Sequence, residues 1–311
     1  MPRRRLIFVY SDGCEVLDFA GPLQAFHEAN DLGAEYSIEH CGPSDRVRTA
    51  QRLEVSGLAP LPMCGPEDLI VIPGYPVRRQ SAPRAVVRWL QQAGEAQVCS
   101  ICTGAFILGE AGLLDGRSCT THWKRVRELA QRFPRARVLT DRLFVHDGRI
   151  TTSAGIASGI DTALALIERD HGPVLAARIA REMVVYLRRD GQHRQESVYL
   201  DYRTHIHPGI HAAQDWLVGH PGQKKTIAAL AALAHASPRN LTRAFRRATG
   251  ISIHEYRTRV RLEHARTLLR DPSITIEQIA GRCGFDDARQ LRRLWRKFFG
   301  AAPSETRRAH R

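Results

Sequence analysis

The segment Leu69-Ile70-Val71-Ile72 carries four branched aliphatic side chains with no polar residue between them. A strand with one wet face alternates apolar and polar residues. An unbroken apolar run must be covered on both sides, as in a parallel sheet flanked by helices. Similar short runs recur at 6–10, 36–41, 68–73, 97–102 and 149–153. Helical periodicity fills the gaps, at 17–29, 83–93, 123–131, 156–169 and 174–187. This alternation predicts a doubly wound α/β domain with a parallel sheet, in which ligands gather beyond the carboxyl ends of the strands.

The chain has 311 residues, 43% hydrophobic and 25% charged, which suits a folded protein and excludes wholesale disorder. That length suggests two domains, each with its own core. No apolar run approaches the ~20 residues of a membrane-spanning helix. The run at 6–10 is too short for a signal-peptide core, so neither secretion nor membrane insertion is expected. The seven cysteines (Cys14, Cys41, Cys64, Cys99, Cys102, Cys119, Cys283) are scattered and odd in number. Cys99 and Cys102 form a lone C-x-x-C, which argues against structural zinc. A reducing cytoplasm, no metal and no cofactor are expected.

The net charge is +14, and residues 215–311 hold 20 Lys and Arg against 8 Asp and Glu, so the last third carries +12 of it. An excess this localised is the footprint of a nucleic-acid-binding module beside a near-neutral partner domain.

The run at 97–102 passes directly into a helical segment with Phe106, Ile107 and Leu108. Cys102 stands at that junction, where a nucleophile elbow would hold it beside the first amides of a helix. Those amides and the helix dipole can lower a thiol pKa. A buried small residue at a tight turn fits the spacing equally well.

The motif Ile101-Cys102-Thr103-Gly104-Ala105-Phe106-Ile107-Leu108, followed by Thr120-Thr121-His122-Trp123, resembles the PfpI/ThiJ-like superfamily of class I glutamine amidotransferase-like folds. Leu17-Asp18-Phe19-Ala20-Gly21-Pro22, Ile72-Pro73-Gly74 and Thr152-Ser153-Ala154-Gly155-Ile156 match in order. The motifs look most like the branch found in isonitrile hydratase and in the sensor halves of GlxA-type regulators. The resemblance implies a flavodoxin-like sheet, with Cys102 at the nucleophile position and Asp18 as the carboxylate approaching its thiol. It further implies an oxyanion-hole-like pair from the amides of Gly74 and Thr103, with His122 lining the same pocket. Hydrolytic members place a His after the Cys; here Thr103 follows, so an adjacent base is missing. A vestigial or ligand-binding pocket is therefore expected, with no catalytic residues.

Within the basic third, a short apolar helix at 226–234 leads through His235-Ala236-Ser237 into a helix at 238–249. Ser237 suits an N-cap and Pro238 the first helical position. Leu241 and Phe245 face inward, leaving Arg239, Asn240, Thr242, Arg243, Arg246 and Arg247 outward. Turns of this type usually carry Gly where His235 stands. The pattern repeats: 275–280, a Gly284-Phe285-Asp286 turn, then an outward-basic helix at 287–300 with Arg289, Arg292, Arg293, Arg296 and Lys297. An amphipathic helix at 253–270 joins the two units.

Ser237-Pro238-Arg239-Asn240-Leu241-Thr242-Arg243-Ala244-Phe245, Arg261-Leu262-Glu263-His264-Ala265 and Ile279-Ala280 to Gly284-Phe285 resemble the AraC family with its double helix-turn-helix. Gln290, Trp295 and Thr306 depart from that pattern. In this architecture the second helix of each unit enters a major groove. Arg239, Thr242, Arg243, Arg289, Arg292 and Arg293 are expected at bases, and Arg246, Arg247, Arg296 and Lys297 at phosphate.

The expected organisation is a sensor domain at 1–187, a polar linker at 188–214 containing His193, His205, His207 and His211, and a DNA-binding domain at 215–311. The expected function is that of a GlxA-type AraC-family transcription regulator: a bacterial, cytoplasmic, nucleoid-associated homodimer that binds double-stranded promoter DNA. Its α/β domain would bind a small-molecule effector, and RNA polymerase would be a partner if it activates, the sign of regulation we expect. The alternative is an enzyme using Cys102 and Asp18, localised by its basic domain.

Overall fold

The computed structural model describes residues 4–77, 82–185, 188–191, 195, 201–269 and 271–308. The chain divides into two compact units, Met1–Gln195 and Glu196–Arg311.

The first unit opens with β1 (Arg4–Val9), α1 (Val16–Asp31) and β2 (Tyr36–Cys41). A small hairpin of β3 (Arg46–Arg48) and β4 (Glu54–Ser56) precedes β5 (Leu69–Ile72). Then come α2 (Arg84–Gln91), β6 (Gln97–Ile101), α3 (Gly104–Glu110) and β7 (Ser118–Cys119). A 3-10 turn (Trp123–Arg125) leads into α4 (Val126–Arg132), β8 (Arg137–Val138), β9 (Phe144–Asp147) and β10 (Ile150–Ser153). Helices α5 (Ser158–His171) and α6 (Pro173–Glu182) complete it.

The main sheet has six strands in the order β2-β1-β5-β6-β10-β9, parallel except for the antiparallel edge strand β9. Its parallel strands follow the flavodoxin-like order, with the chain reversing direction across the sheet beside β1. Alternate residues of β1 serve opposite layers. Leu6 and Phe8 join Phe26, Leu164 and Ile179 under α1, α5 and α6, whereas Ile7 and Val9 join Val86, Phe106 and Leu129 under α2, α3 and α4. Each such side chain contributes roughly 1.5–3 kcal/mol on burial, and β5 (Leu-Ile-Val-Ile), buried at every position, is apolar throughout.

The helix expected over 174–187 stops at Glu182, and Val184 takes a φ of 53°; residues 186 and 187 lie outside the described residues.

The second unit contains α7 (Pro208–Gly219), α8 (Ile227–Leu233), α9 (Pro238–Thr249), α10 (Ile253–Leu269), α11 (Ile276–Arg282), α12 (Ala288–Phe299) and α13 (Pro303–Arg308). One core gathers Ile210 and Leu217 of α7, Leu230 of α8, Leu241 and Phe245 of α9, and Ile253, Tyr256 and Val260 of α10. The other gathers Leu262, Ala265 and Leu269 of α10 with Ile279 of α11 and Leu291 and Trp295 of α12. Helix α10 thus serves both cores in succession.

The expected linker at 188–214 is corrected at both ends. Arg189 donates its backbone amide (2.8 Å) and its guanidinium (2.7 Å) to the buried Asp161 carboxylate, and Arg188 pairs with Glu168. The Gln195 amide donates to Thr121 O (2.9 Å) and Arg142 O (3.0 Å). These residues are fastened to the α/β unit. The boundary expected at 214/215 falls inside α7, whose Ile210 and Ala213 are fully buried.

Candidate functional site

Two places concentrate the chemistry singled out by sequence. The first lies at the carboxyl ends of β5, β6 and β10. Cys102 follows β6 with φ at 55°, and Ile156, after β10, has φ at 41°. Both are non-glycine residues in the left-handed region, a strained conformation of the kind that clusters at functional sites. The elbow is clamped from several sides. The Cys102 amide donates to Ser153 O (3.0 Å), and its carbonyl accepts from the Thr121 hydroxyl (2.8 Å). Ser153 in turn is held by Ser158 and Thr162, both at 2.9 Å. Gly155 packs so closely against the elbow that a Cβ there would lie 2.8 Å from Cys102 Sγ, so only glycine fits.

Asp18 reaches the site from the first turn of α1 and is fully buried. Its carboxylate accepts from the amides of Gly74 (2.9 Å) and Ile156 (3.0 Å) and hydrogen-bonds the Cys102 thiol. Burial outweighs these donors and raises its pKa to about 7. Burial also pushes the Cys102 thiol far above its usual value, with the Asp18 charge adding to the effect. Of the two readings open for this junction, the buried one matches: desolvation outweighs the helix amides, and the sulfur keeps its proton.

The oxyanion-hole-like pair is corrected as well, because the Gly74 amide is already spent on Asp18. The Thr103 hydroxyl donates to Tyr75 O (2.7 Å) and accepts from the Tyr75 amide (2.9 Å). Thr103 is a brace between the elbow and the segment after β5, not a substitute base. His122 caps the 3-10 turn, its Nδ1 accepting from the Lys124 amide (3.3 Å), and stacks beside Trp123. Sequence reasoning gave no role to Ile156 and Thr121, which brace the site through a backbone amide and a hydroxyl. Both lie inside quoted motifs, but nothing in their residue type announces the contact.

The second place is the pair of outward helices α9 and α12. Both begin at a side-chain cap, Ser237 and Asp287, and both end on a left-handed glycine, Gly250 and Gly300. Leu241 and Phe245 on α9 match Leu291 and Trp295 on α12 as the buried pair. All the outward residues expected at DNA are exposed: Arg239, Asn240, Thr242, Arg243, Arg246 and Arg247 on α9, and Arg289, Arg292, Arg293, Arg296 and Lys297 on α12.

The two helices differ in how free these groups are. On α9 the guanidiniums of Arg239, Arg243, Arg246 and Arg247 have no partner among the described residues and border an open hollow of about 750 Å³. Only Thr242 is engaged, donating to Pro238 O (2.8 Å). On α12, Arg292 is held by Glu277 of α11 at 2.7 Å. Acidic Asp286 and Asp287 flank the start of α12, Asp286 also pairing with Lys224 at 2.8 Å.

The departures Gln290, Trp295 and Thr306 fit together. Gln290 accepts from the Asp286 amide (2.9 Å) and donates to its carboxylate (3.0 Å). The buried Trp295 indole donates to the Thr306 hydroxyl (3.2 Å). His235 takes a φ of 49°, the left-handed conformation for which such turns usually carry Gly.

The histidines do not assemble a ligand set. His205 and His211 stack with ring centroids 4.5 Å apart, and His193 lies outside the described residues. Among the described residues no group of three metal-ligating side chains forms, and no helix is long and apolar enough to cross a membrane.

Comparison with known proteins bears on both places. Residues 4–169 match the DJ-1/PfpI family, and residues 230–309 match a helix-turn-helix domain. The HTH-type transcriptional regulator CdhR of Pseudomonas aeruginosa is 30% identical, over 96% of this chain and 90% of its own length. The HTH-type transcriptional regulator GlxA of Rhizobium meliloti is 30% identical, over 73% of this chain and 70% of its own. An AraC family transcriptional regulator from Pseudomonas putida, known from a crystal structure, shares the fold at a TM-score of 0.51 and 23% identity, over 58% of this chain and 99% of that one. The chain belongs to the DJ-1/PfpI family, in its branch of HTH-type transcriptional regulators.

Proposed function

We propose that this protein regulates transcription by binding promoter DNA through α9 and α12, and that its α/β unit binds a small metabolite that controls this binding. The observation that carries the reading is the basic face of α9: four guanidiniums with no partner among the described residues, and Asn240, on one exposed side of a helix capped at both ends. Arg239, Thr242 and Arg243 lie toward its amino end, the part of a recognition helix that meets base edges. Arginine there suits guanine O6 and N7. Arg246 and Arg247, further along, suit phosphate, as do Arg296 and Lys297 on α12, while Arg289, Arg292 and Arg293 take the base-facing places of the second unit.

The Cys102 region serves as a sensor pocket in this reading. A protonated, buried thiol is a poor nucleophile, and the Gly74 amide that would steady an oxyanion is occupied. A homodimer on paired half-sites, RNA polymerase as a partner and a cytoplasmic setting complete the proposal.

Footprinting on the DNA upstream of the protein's own gene tests it. Within each half-site, protection of two segments about 10 base pairs apart is expected, as for two recognition helices in successive major grooves. Arg243→Ala is expected to weaken protection, most at the segment met by α9. Absence of protection, or a footprint unchanged by Arg243→Ala, would overturn the proposal.

A further inference from the structure

We infer that the hollow bordered by α2, α3 and α4 of the α/β unit is a binding site for a small dianion, a dicarboxylate or a phosphate monoester, separate from the Cys102 region. This inference names a ligand class for the sensor reading above and rests on that reading for its regulatory meaning. The hollow measures about 440 Å³ and is bordered by Arg84, Val87, Arg88 and Gln91 on one face of α2, with Glu110 of α3 and Arg132 of α4 opposite. A second hollow of about 260 Å³ shares Gln91, Glu110 and Arg132 with it. Sites for small metabolites span roughly 300–1,000 Å³.

The charges here are unevenly satisfied. Arg132 is fixed: it pairs with Glu110 at 2.6 Å and lies over the rings of Phe106 (5.2 Å) and Phe133 (5.6 Å). Its charge is compensated and its position set in advance. Arg84 and Arg88 are exposed and have no partner among the described residues. They stand one turn apart on α2, where like charges repel. Arg84 also opens this helix, whose N-cap Pro83 offers no side-chain cap and whose first turn has no acid. A cation at the positive end of a helix is unfavourable, and an anion is what that end attracts.

Two uncompensated guanidiniums one turn apart match two anionic charges on one ligand, because arginine binds carboxylate and phosphate oxygens in a bidentate way. Gln91 adds a neutral amide donor. Val87 offers an apolar wall for a short carbon skeleton. The ligand class that fits is therefore small, doubly charged and at most partly apolar.

The test uses the full-length protein at constant ionic strength, with thermal unfolding followed against succinate, inorganic phosphate and propionate. Saturable stabilisation by succinate or phosphate, and none by propionate, is expected. The preferred dianion identifies the source as carboxylate or phosphate. The double variant Arg84→Gln/Arg88→Gln is expected to bind at least about tenfold more weakly. Cys102→Ala, and Arg243→Gln/Arg246→Gln on the DNA-facing helix, are expected to bind as the wild type does. Undiminished binding by the Arg84/Arg88 variant, loss of binding in the Arg243/Arg246 variant, or an equal response to propionate overturns the site. Binding to upstream DNA is measured on the same samples. Failure of dianion binding with DNA binding intact refutes the site alone, whereas failure of the wild type to recognise its DNA refutes the regulator reading.

Discussion

The two helix-turn-helix turns hold a left-handed residue at equivalent places, His235 at φ 49° and Gly284 at φ 74°. Their surroundings predict opposite responses to exchange. His235 is exposed. Holding a non-glycine residue there costs about 1–2 kcal/mol. Glycine would remove that cost but would gain about 0.4–1 kcal/mol of freedom in the unfolded chain. His235→Gly should therefore stabilise the protein by up to about 1.6 kcal/mol, with about 0.8 kcal/mol the central value of the difference between those two contributions. Gly284 is buried, and a Cβ there would stand 2.6 Å from the carbonyl oxygen of Gly222 and 2.8 Å from Arg261 Nη2. The arginine can shift, but the backbone carbonyl cannot without moving the chain. Gly284→Ala thus adds the left-handed cost to an overpacking cost of about 1–3 kcal/mol, for about 2–5 kcal/mol in all. Urea denaturation of the two variants beside the wild type reads both values. Equal effects of the same sign, or a Gly284→Ala protein within 0.5 kcal/mol of wild type, near the ~0.5 kcal/mol scatter of surface changes, would refute the reasoning.

Asp18, raised to about 7 from 3.8, keeps a proton that the unfolded chain releases between those values. Its contribution to stability is complete below about pH 4 and lost as pH rises through 7, up to about 4 kcal/mol in total. The stability difference between wild type and Asp18→Asn should shrink by up to that amount over the interval, and a difference independent of pH would contradict the assignment. At the DNA face, Arg243→Ala should weaken operator binding by about 1–3 kcal/mol. Arg292→Ala should cost less, because Arg292 must first leave Glu277, and equal losses in a polarisation titration would refute the asymmetry between α9 and α12. Trp295→Phe removes the indole donor to Thr306 and thins the packing on Phe299; it should cost about 1–3 kcal/mol by urea denaturation with DNA contacts preserved.

Strand β5 was legible because burial on both faces leaves an unbroken apolar run at 69–72. The edge strand β9 was not, since Phe-Val-His-Asp at an edge needs only a partial apolar face. Helix α7 was hidden by Pro208, Gly209, His211 and Gln214, which read as polar connecting chain. Gln214 is nonetheless fully buried, with its amide donating to Tyr202 O (2.8 Å). The place of Cys102 at the end of a strand was legible; its protonation was not, because that depends on burial and on where Asp18 sits. Outward positions on α9 and α12 followed from the spacing of Leu241, Phe245, Leu291 and Trp295. The pairing of Arg292 with Glu277 is a contact between helices, and periodicity along one helix carries no information about it.

The central claim is selective recognition of DNA by the basic unit. Fluorescence polarisation of the full-length protein with DNA upstream of its own gene, beside a scrambled duplex at two salt concentrations, tests it most directly. The account predicts binding at least about 10³-fold tighter to the upstream DNA, with affinity for both duplexes falling steeply as salt rises. Equal, weak binding to both duplexes would contradict it.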